Sequence, residues 1–466
     1  MNYDSTRGNA PTLGFADTIL QGLARDGGLY LPETYPVLTS DQIAAFAGRG
    51  YADVAEAVIS PFVDGDIGAG DFRAMLDNAY AGFRHPAVTP LIQIGPNAFV
   101  LELFHGPTLA FKDVAMQLLG RMMDHLLKDR GGRATIVGAT SGDTGGAAIE
   151  AFRGLDAVDI FILYPHGRVS DVQRRQMTTV AAENVHALAI EGTFDDCQAI
   201  VKGMFTHEVF RDRVALSGVN SINWGRIVAQ AVYYFVAAVA LGAPHRRVSF
   251  SVPTGNFGDI LAGYIAKRMG LPIERLVIAT NVNDILARTL ETGRYGVGGV
   301  VATQSPSMDI QVSSNFERLL FEATGRDADA VRQMMAGLKQ SGSFTIPEPA
   351  LDAIRQDFDA VRVDEHQTVE IMAQVLRDSG YLLDPHTAVG VAAGQDVAHD
   401  PAVPMVTLAT AHPAKFPDAV ERATGQHPAL PAGIADLADR EERFTVTAAD
   451  QAAVERLILE RSRLAA

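Results

Sequence analysis

The sequence predicts an α/β protein in which helices cover parallel sheets. Three observations carry this. Strand-like and helix-like stretches alternate from residue 134 to Gly242, and the alternation starts again at Val248. Several strand candidates are short buried runs bounded by turn formers, such as residues 134–139. Two of them enter loops rich in Gly, Ser, Thr and Asn that open helices, at residues 140–146 and 253–259.

Taken in order, residues 1–90 hold few strand candidates and form a mainly helical unit. Helices are expected over 40–46 and 52–59, with a turn at Asp26-Gly27-Gly28 into a short extended piece. Residues 99–104 form a strand that delivers the chain to His105-Gly106-Pro107-Thr108-Leu109-Ala110-Phe111-Lys112-Asp113. Gly106 and Pro107 make that stretch a turn. Val114, Leu118, Met122 and Leu126 then recur every fourth residue as one helix face. Strands follow at 134–139, 160–164 and 185–190, with helix starts at Ser170-Asp171-Val172-Gln173, read as a capping box, and at Thr193. After the long helix come strands at 248–252, 276–280 and 403–408. Residues 325–380 read as surface helices, 293–299 as a mobile loop, and Asp384-Pro385-His386-Thr387 as a helix start. The expected domains are 1–90, a smaller α/β unit 91–242 and a larger one 243–466.

Composition narrows the function. The chain has 466 residues, 47% of them hydrophobic, enough for more than one core. A formal charge of −16 argues against nonspecific nucleic-acid binding, and an anionic ligand must be held by local donors. No apolar run approaches the roughly 18 residues that span a bilayer. The helix around 227–241 is interrupted by Gln230 and two tyrosines, so it belongs to a core. The single cysteine, Cys197, rules out an internal disulfide framework and favours a reducing, cytoplasmic setting. The N-terminus carries no signal pattern.

Lys112 stands at a turn-to-helix junction, where the helix field and desolvation both disfavour its ammonium form. A lysine that condenses with an aldehyde needs that push. The residues allow equally a surface lysine snorkelling from the first turn. The loops at 140–146 and 253–259 are candidate anion cradles, the second suited to a phosphate. Neither fits the common nucleotide fingerprints. No H-E-x-x-H or G-x-S-x-G motif occurs, and one cysteine cannot build a thiolate zinc site, so no metal is expected. His105, His166, His386 and His412 flank strands or helices, and His166 reads as structural. A lysine and two anion cradles suit pyridoxal phosphate plus an anionic substrate.

The Lys112 block resembles the cofactor-lysine signature of threonine synthases, in the branch that includes the enterobacterial and yeast enzymes. Ser5-Thr6-Arg7-Gly8, Asp26-Gly27-Gly28-Leu29, Thr140-Ser141-Gly142-Asp143-Thr144-Gly145, His166-Gly167-Arg168-Val169-Ser170, Asn220-Ser221-Ile222-Asn223-Trp224, the 253–259 loop, Asp384-Pro385-His386-Thr387 and Ala411-His412-Pro413-Ala414-Lys415-Phe416 follow in family order. The resemblance implies the tryptophan-synthase-β-like (fold type II) architecture, two α/β domains around pyridoxal phosphate. It also implies conversion of O-phospho-L-homoserine and water to L-threonine and phosphate.

By the same resemblance Lys112 carries the cofactor and moves protons. Gly255, Asn256, Phe257, Gly258 and Asp259 bind it at the phosphate loop, and Thr410 meets the ring nitrogen. Ser141, Gly142, Asp143 and Thr144 take the substrate carboxylate. Arg226, Lys415 and Arg168 are the candidates for the substrate phosphate, because a dianion favours guanidinium or ammonium partners. Gly225 stands where the pattern has alanine, between Trp224 and Arg226. The rival readings are a threonine or serine dehydratase of the same fold and a non-catalytic protein that binds phosphorylated ligands. Lys112 argues against the second. A monomer is expected.

Overall fold

The computed structural model describes every residue except 64, 141, 219–220, 398–399 and 465–466. Two sheets organise the chain. The larger runs, edge to edge, Phe358–Arg362, Ile273–Thr280, Val248–Pro253, Met405–Ala409, Ala98–Glu102 and Leu91–Gly95. All its pairings are parallel except the last. The smaller runs Thr445–Ala448, Val185–Glu191, Val158–Pro165, Ala134–Ala139 and Leu216–Ser217, parallel throughout. Val158–Pro165, Val248–Pro253 and Met405–Ala409 are buried at every residue. Helices on both faces leave a parallel sheet no wet side, which is why these strands read as apolar runs.

Sheet membership cuts across the expected boundaries at 91 and 243. The first two strands of the 91–242 segment pair with the larger sheet, and Thr445–Ala448 returns to the smaller one beside Val185–Glu191. The chain therefore crosses between sheets between Glu102 and Ala134, over the segment that carries Lys112. Parallel pairing needs long crossovers, so neighbours in a sheet are distant in sequence.

The N-terminal segment holds helices Phe15–Gln21, Ser40–Ala44, Tyr51–Val63 and Ala69–Tyr80, with Tyr3–Ser5 paired to Tyr30–Pro32. Trp224, at the start of the long helix Trp224–Ala240, receives the rings of Tyr3 and Phe62 at 5.9 and 5.8 Å. Buried Arg318 donates to the carbonyls of Tyr30 and Ile222, fastening this segment to the rest. Gly225 has a packing reason. A Cβ there would lie 2.9 Å from Leu119 Cδ1 and 3.3 Å from both Ile19 Cγ2 and Asn223 Oδ1.

Three local expectations change. Arg294–Gly296, inside the expected loop, pairs antiparallel with Ser343–Thr345. Phe358–Arg362, in the stretch read as surface helices, is an edge strand of the larger sheet. At the capping box, Ser170 Oγ accepts from Gln173 N at 3.4 Å and donates to Gln173 Oε1 at 3.0 Å, while Gln173 Nε2 reaches Asp143, so the side chain does not close back on the Ser170 backbone N–H. Among the described residues no helix is long and apolar enough to cross a membrane.

Candidate active site

Lys112 is the first residue of the helix Lys112–Asp129, reached from Ala98–Glu102 by a tight turn. A Cβ on Gly106 would meet Asp113 Cβ at 2.4 Å, so only glycine fits against the helix start. The Asp113 carboxylate accepts from Thr108 N and Thr108 Oγ1, both at 2.7 Å, and burial pushes its pKa up to about 6. Phe111 N donates to Thr410 O at 2.8 Å, which seats the turn on the end of the strand Met405–Ala409. The Lys112 side chain is buried. Burial lowers its pKa, the Asp143 carboxylate opposes this, and the positive charges of Lys415 and Arg226 add to the lowering. The surface-snorkel reading of Lys112 is thereby excluded.

The first cradle follows Ala134–Ala139 and opens the helix Asp143–Phe152. Ser141 lies outside the described residues. Gly142 has φ of 151°, and a Cβ there would sit 2.4 Å from the Gln173 side chain. Asp143 faces two lysines: Oδ1 lies 2.6 Å from Lys415 Nζ and Oδ2 lies 3.6 Å from Lys112 Nζ. Gln173 Nε2 donates to Oδ1 at 3.0 Å, and Ser307 Oγ approaches Oδ2 at 3.4 Å. Burial would raise the Asp143 pKa, but Lys415 and Lys112 hold it far below the carboxylate range. Its side chain is thus an anion that orders lysines and has no donor for a substrate carboxylate. Thr144 lines the cleft.

The second cradle is the turn between Val248–Pro253 and the helix Gly258–Arg268. A Cβ on Gly255 would come within 2.7 Å of Ser307 O. Gly255 O accepts from Ser313 Oγ at 2.7 Å, and Asn256 O accepts from Asn315 N and Nδ2 at 3.1 and 3.0 Å. In a trans peptide N–H points opposite to C=O, so the amides of Asn256 and Phe257 face away from that outer segment, toward the cleft. Phe257 holds φ of 63°, an unusual angle for a large side chain. Its buried ring is packed on Phe316 and Phe358.

Between the cradles the cleft wall carries unpaired polar atoms. Arg226 is 3% exposed, and its Nε and Nη1 have no partner. Burial lowers its pKa to about 10. Gln230 Oε1 and Asp259 Oδ2 are likewise buried and unpartnered. Asp259 Oδ1 accepts from the Tyr233 hydroxyl and from Tyr234 Oη at 3.2 Å, while burial raises the acid to about 7. Orphaned buried polar groups are costly, and a polar ligand in the cleft would satisfy them.

The cleft thus gathers Lys112, Thr144, Arg226, Gly255, Asn256, Phe257, Gly258, Asp259 and Thr410. Among the described residues, four of those expected fall outside its lining: Gly142 and Asp143, which stand beside it, and Lys415 and Arg168. Lys415 is fully buried behind the wall, its ammonium used by Asp143 and by Thr108 O at 2.8 Å. Arg168 is exposed on the turn after Val158–Pro165. The structure adds Ser307, Met308, Ser221 and His386 to the lining. Ser307 N donates to His386 Nε2 at 3.2 Å, and His386 Nδ1 lies 2.9 Å from Asp384 Oδ1. The Asp384-Pro385-His386-Thr387 block was a signal for His386. Nothing in the local pattern around Ser307 points to a site. Among the described residues no group of acidic, histidine and cysteine side chains is placed to hold a metal.

Family models described as "Threonine synthase N terminus", "Pyridoxal-phosphate dependent enzyme" and "Threonine synthase, C-terminal" match residues 2–80, 83–410 and 387–458. The chain belongs to the threonine synthase family. It is 56% identical to the threonine synthase of Pseudomonas aeruginosa over 98% of both chains. The crystal structure of a pyridoxal-phosphate-bound threonine synthase from Brucella melitensis is 64% identical, with a TM-score of 0.98, covering 99% of this chain and 100% of that one. The yeast threonine synthase structure superposes with a TM-score of 0.94 at 41% identity, over 99% and 98%.

Threonine synthases are pyridoxal-phosphate enzymes of fold type II, and this chain is a pyridoxal-phosphate-dependent lyase of that family. The cleft fits the cofactor on its own evidence. A buried lysine pushed toward the neutral amine faces an aldehyde's needs, and a turn with inward amides at a helix start suits a phosphate.

Proposed function

We propose that the protein acts on O-phospho-L-homoserine, releasing phosphate and adding water to give L-threonine. The observation that carries the reading is a single cleft holding a buried lysine pushed toward the neutral amine, two helix-start cradles and a buried guanidinium with two unpartnered nitrogens. A substrate with a carboxylate and a phosphate needs more than one anion-holding element once the cofactor phosphate has taken its own.

Lys112 holds the cofactor and then, freed by the substrate amine, moves protons among the Cα, Cβ and Cγ positions. When bound, the cofactor ring supplies the electron sink. The amides of the 255–258 turn hold the cofactor phosphate, with Asp259 at the following helix turn, and the Thr410 hydroxyl meets the ring nitrogen. Backbone donors at residues 142–144 receive the substrate carboxylate. Arg226 Nε and Nη1 receive the substrate phosphate. Asp143 stays ionised and keeps the Lys112 amine aimed at the cleft. We read the enzyme as a cytoplasmic monomer, which predicts a sedimentation mass near 49.8 kDa at every concentration.

The test is an absorbance spectrum followed by addition of O-phospho-L-homoserine. A visible band lost in Lys112→Ala, with phosphate and threonine formed in equal amounts, supports the reading. Ketoacid from threonine or serine without phosphate release would replace it with a dehydratase.

A further inference from the structure

A second cavity, of about 500 Å³, lies on the far side of the Lys112 helix from the cofactor cleft and shares none of its lining. Its size is within the range of small-molecule sites. Four guanidinium groups line it: Arg84, Arg121, Arg153 and Arg440. The acidic residue in the lining is Glu150. In a chain of net charge −16, such a local excess of cations is an electrostatic exception.

The partners of these arginines sharpen the point. Arg153 pairs with Glu150 at 3.3 Å and Arg440 with Asp436 at 2.7 Å. Arg84 and Arg121 have no carboxylate at ion-pair distance among the described residues. Arg84 donates to the carbonyls of Gly106 and Pro107, the latter at 3.1 Å, and Arg121 donates to Gln117 O and Oε1 at 2.7 and 3.0 Å. Burial depresses the pKa of both guanidinium groups. Gln117 also lines the cavity. It is 6% exposed, and its Nε2, a donor, has no partner. Cations without a counter-charge and an orphaned donor around one space are the complement of a multivalent oxyanion.

We propose that this cavity is a second binding site, for a small phosphate-bearing anion, and that it reports to the Lys112 turn through Arg84. Gly106 and Pro107, whose carbonyls Arg84 grips, begin the turn that aims Lys112. Gln176, also in the lining, donates to Thr108 O at 3.1 Å within the same turn. An anion that engages Arg84 competes with the Gly106 and Pro107 carbonyls for its N–H groups. The turn loses part of its anchor, and the surroundings of Lys112 change without contact in the cleft.

The test titrates the holoenzyme with inorganic pyrophosphate and, separately, with adenosine monophosphate, reading heat and the visible cofactor band. Arg440→Gln and Arg153→Gln serve as variants, because both side chains are well exposed and outside the cleft. Saturable binding at or below about 1 mM, weakened about tenfold in either variant and not displaced by substrate, supports the site. Tighter binding of the nucleotide assigns a phosphate ester, and tighter pyrophosphate a free inorganic anion. A shift of the visible band on saturation supports the link through Arg84, and binding with an unchanged band overturns that link. Absence of binding in this range, or binding untouched by both variants, overturns the site.

Discussion

Replacing Asp143 with asparagine isolates the ion cluster behind the cleft. The shape is kept, and Gln173 still finds an acceptor, but two buried ammonium groups lose their counter-charge. At 2.6 and 3.6 Å and an effective dielectric constant near 20, the pairs with Lys415 and Lys112 are worth about 6 and about 5 kcal/mol of gross attraction. The net cost is smaller, because an unpaired lysine sheds its proton. Removing one partner of a buried pair costs about 3–5 kcal/mol. Lys112 already tends toward the neutral amine, whereas Lys415 is fully buried and has only a backbone carbonyl left. The loss therefore falls mainly on Lys415. Asp143→Asn should lower stability by about 3–5 kcal/mol in urea unfolding of the apoenzyme. Asp143→Asn combined with Lys415→Met should recover a large part of it, since no charge is then stranded. A single variant within about 1 kcal/mol of the parent, or a double variant no better than the single, would refute the account of Asp143 as a bridge between lysines.

Gly255→Ala places a methyl 2.7 Å from Ser307 O, so the cradle and the opposing loop must part. Cofactor titration by absorbance should show affinity lower by about tenfold or more, with melting of the apoenzyme little changed. Gly225→Ala gains about 1 kcal/mol of helix propensity and loses a similar amount against the movable Leu119 methyl, so urea midpoints should nearly coincide. His412 and His186 are held neutral by burial, with pKa values lowered to about 4. At these two positions the unfolded chain binds more protons between about pH 4 and 6.5, so the histidines' contribution to stability is lost as pH falls through that window. Asp113 and Asp259, raised to about 6 and 7, act in the opposite direction there, so the histidine contribution is read as a difference between proteins: the urea midpoint of His412→Gln should gain on that of the parent as pH falls from about 6.5 to 4.

Much of the architecture was legible because local pattern reports burial and backbone preference directly. The run Ala134–Ala139 was delimited from sequence, and the start of the helix at Lys112 follows from the turn formed by Gly106 and Pro107. The two cradles were visible because anion-holding turns need residue types that allow close approach. Lys112, Arg226, Gly255 and Thr410 do meet in one cleft. Pairings between remote segments were another matter. Only folding brings Thr445–Ala448 beside Val185–Glu191, or sets Phe358–Arg362 at the edge of the larger sheet, since edge strands are short and carry a weak pattern. The same holds for charge. From sequence Lys415 and Arg168 were equal candidates for the substrate phosphate. The packing of Met405–Ala409 against the Lys112 turn turns Lys415 inward to Asp143, and Arg168 stays in solvent. Sequence thus determined which chemistry the chain can perform, through residue types at strand-to-helix loops. The tertiary structure decided which charges share a cleft, because the partner of a buried ion is chosen by the desolvation that only a finished core imposes.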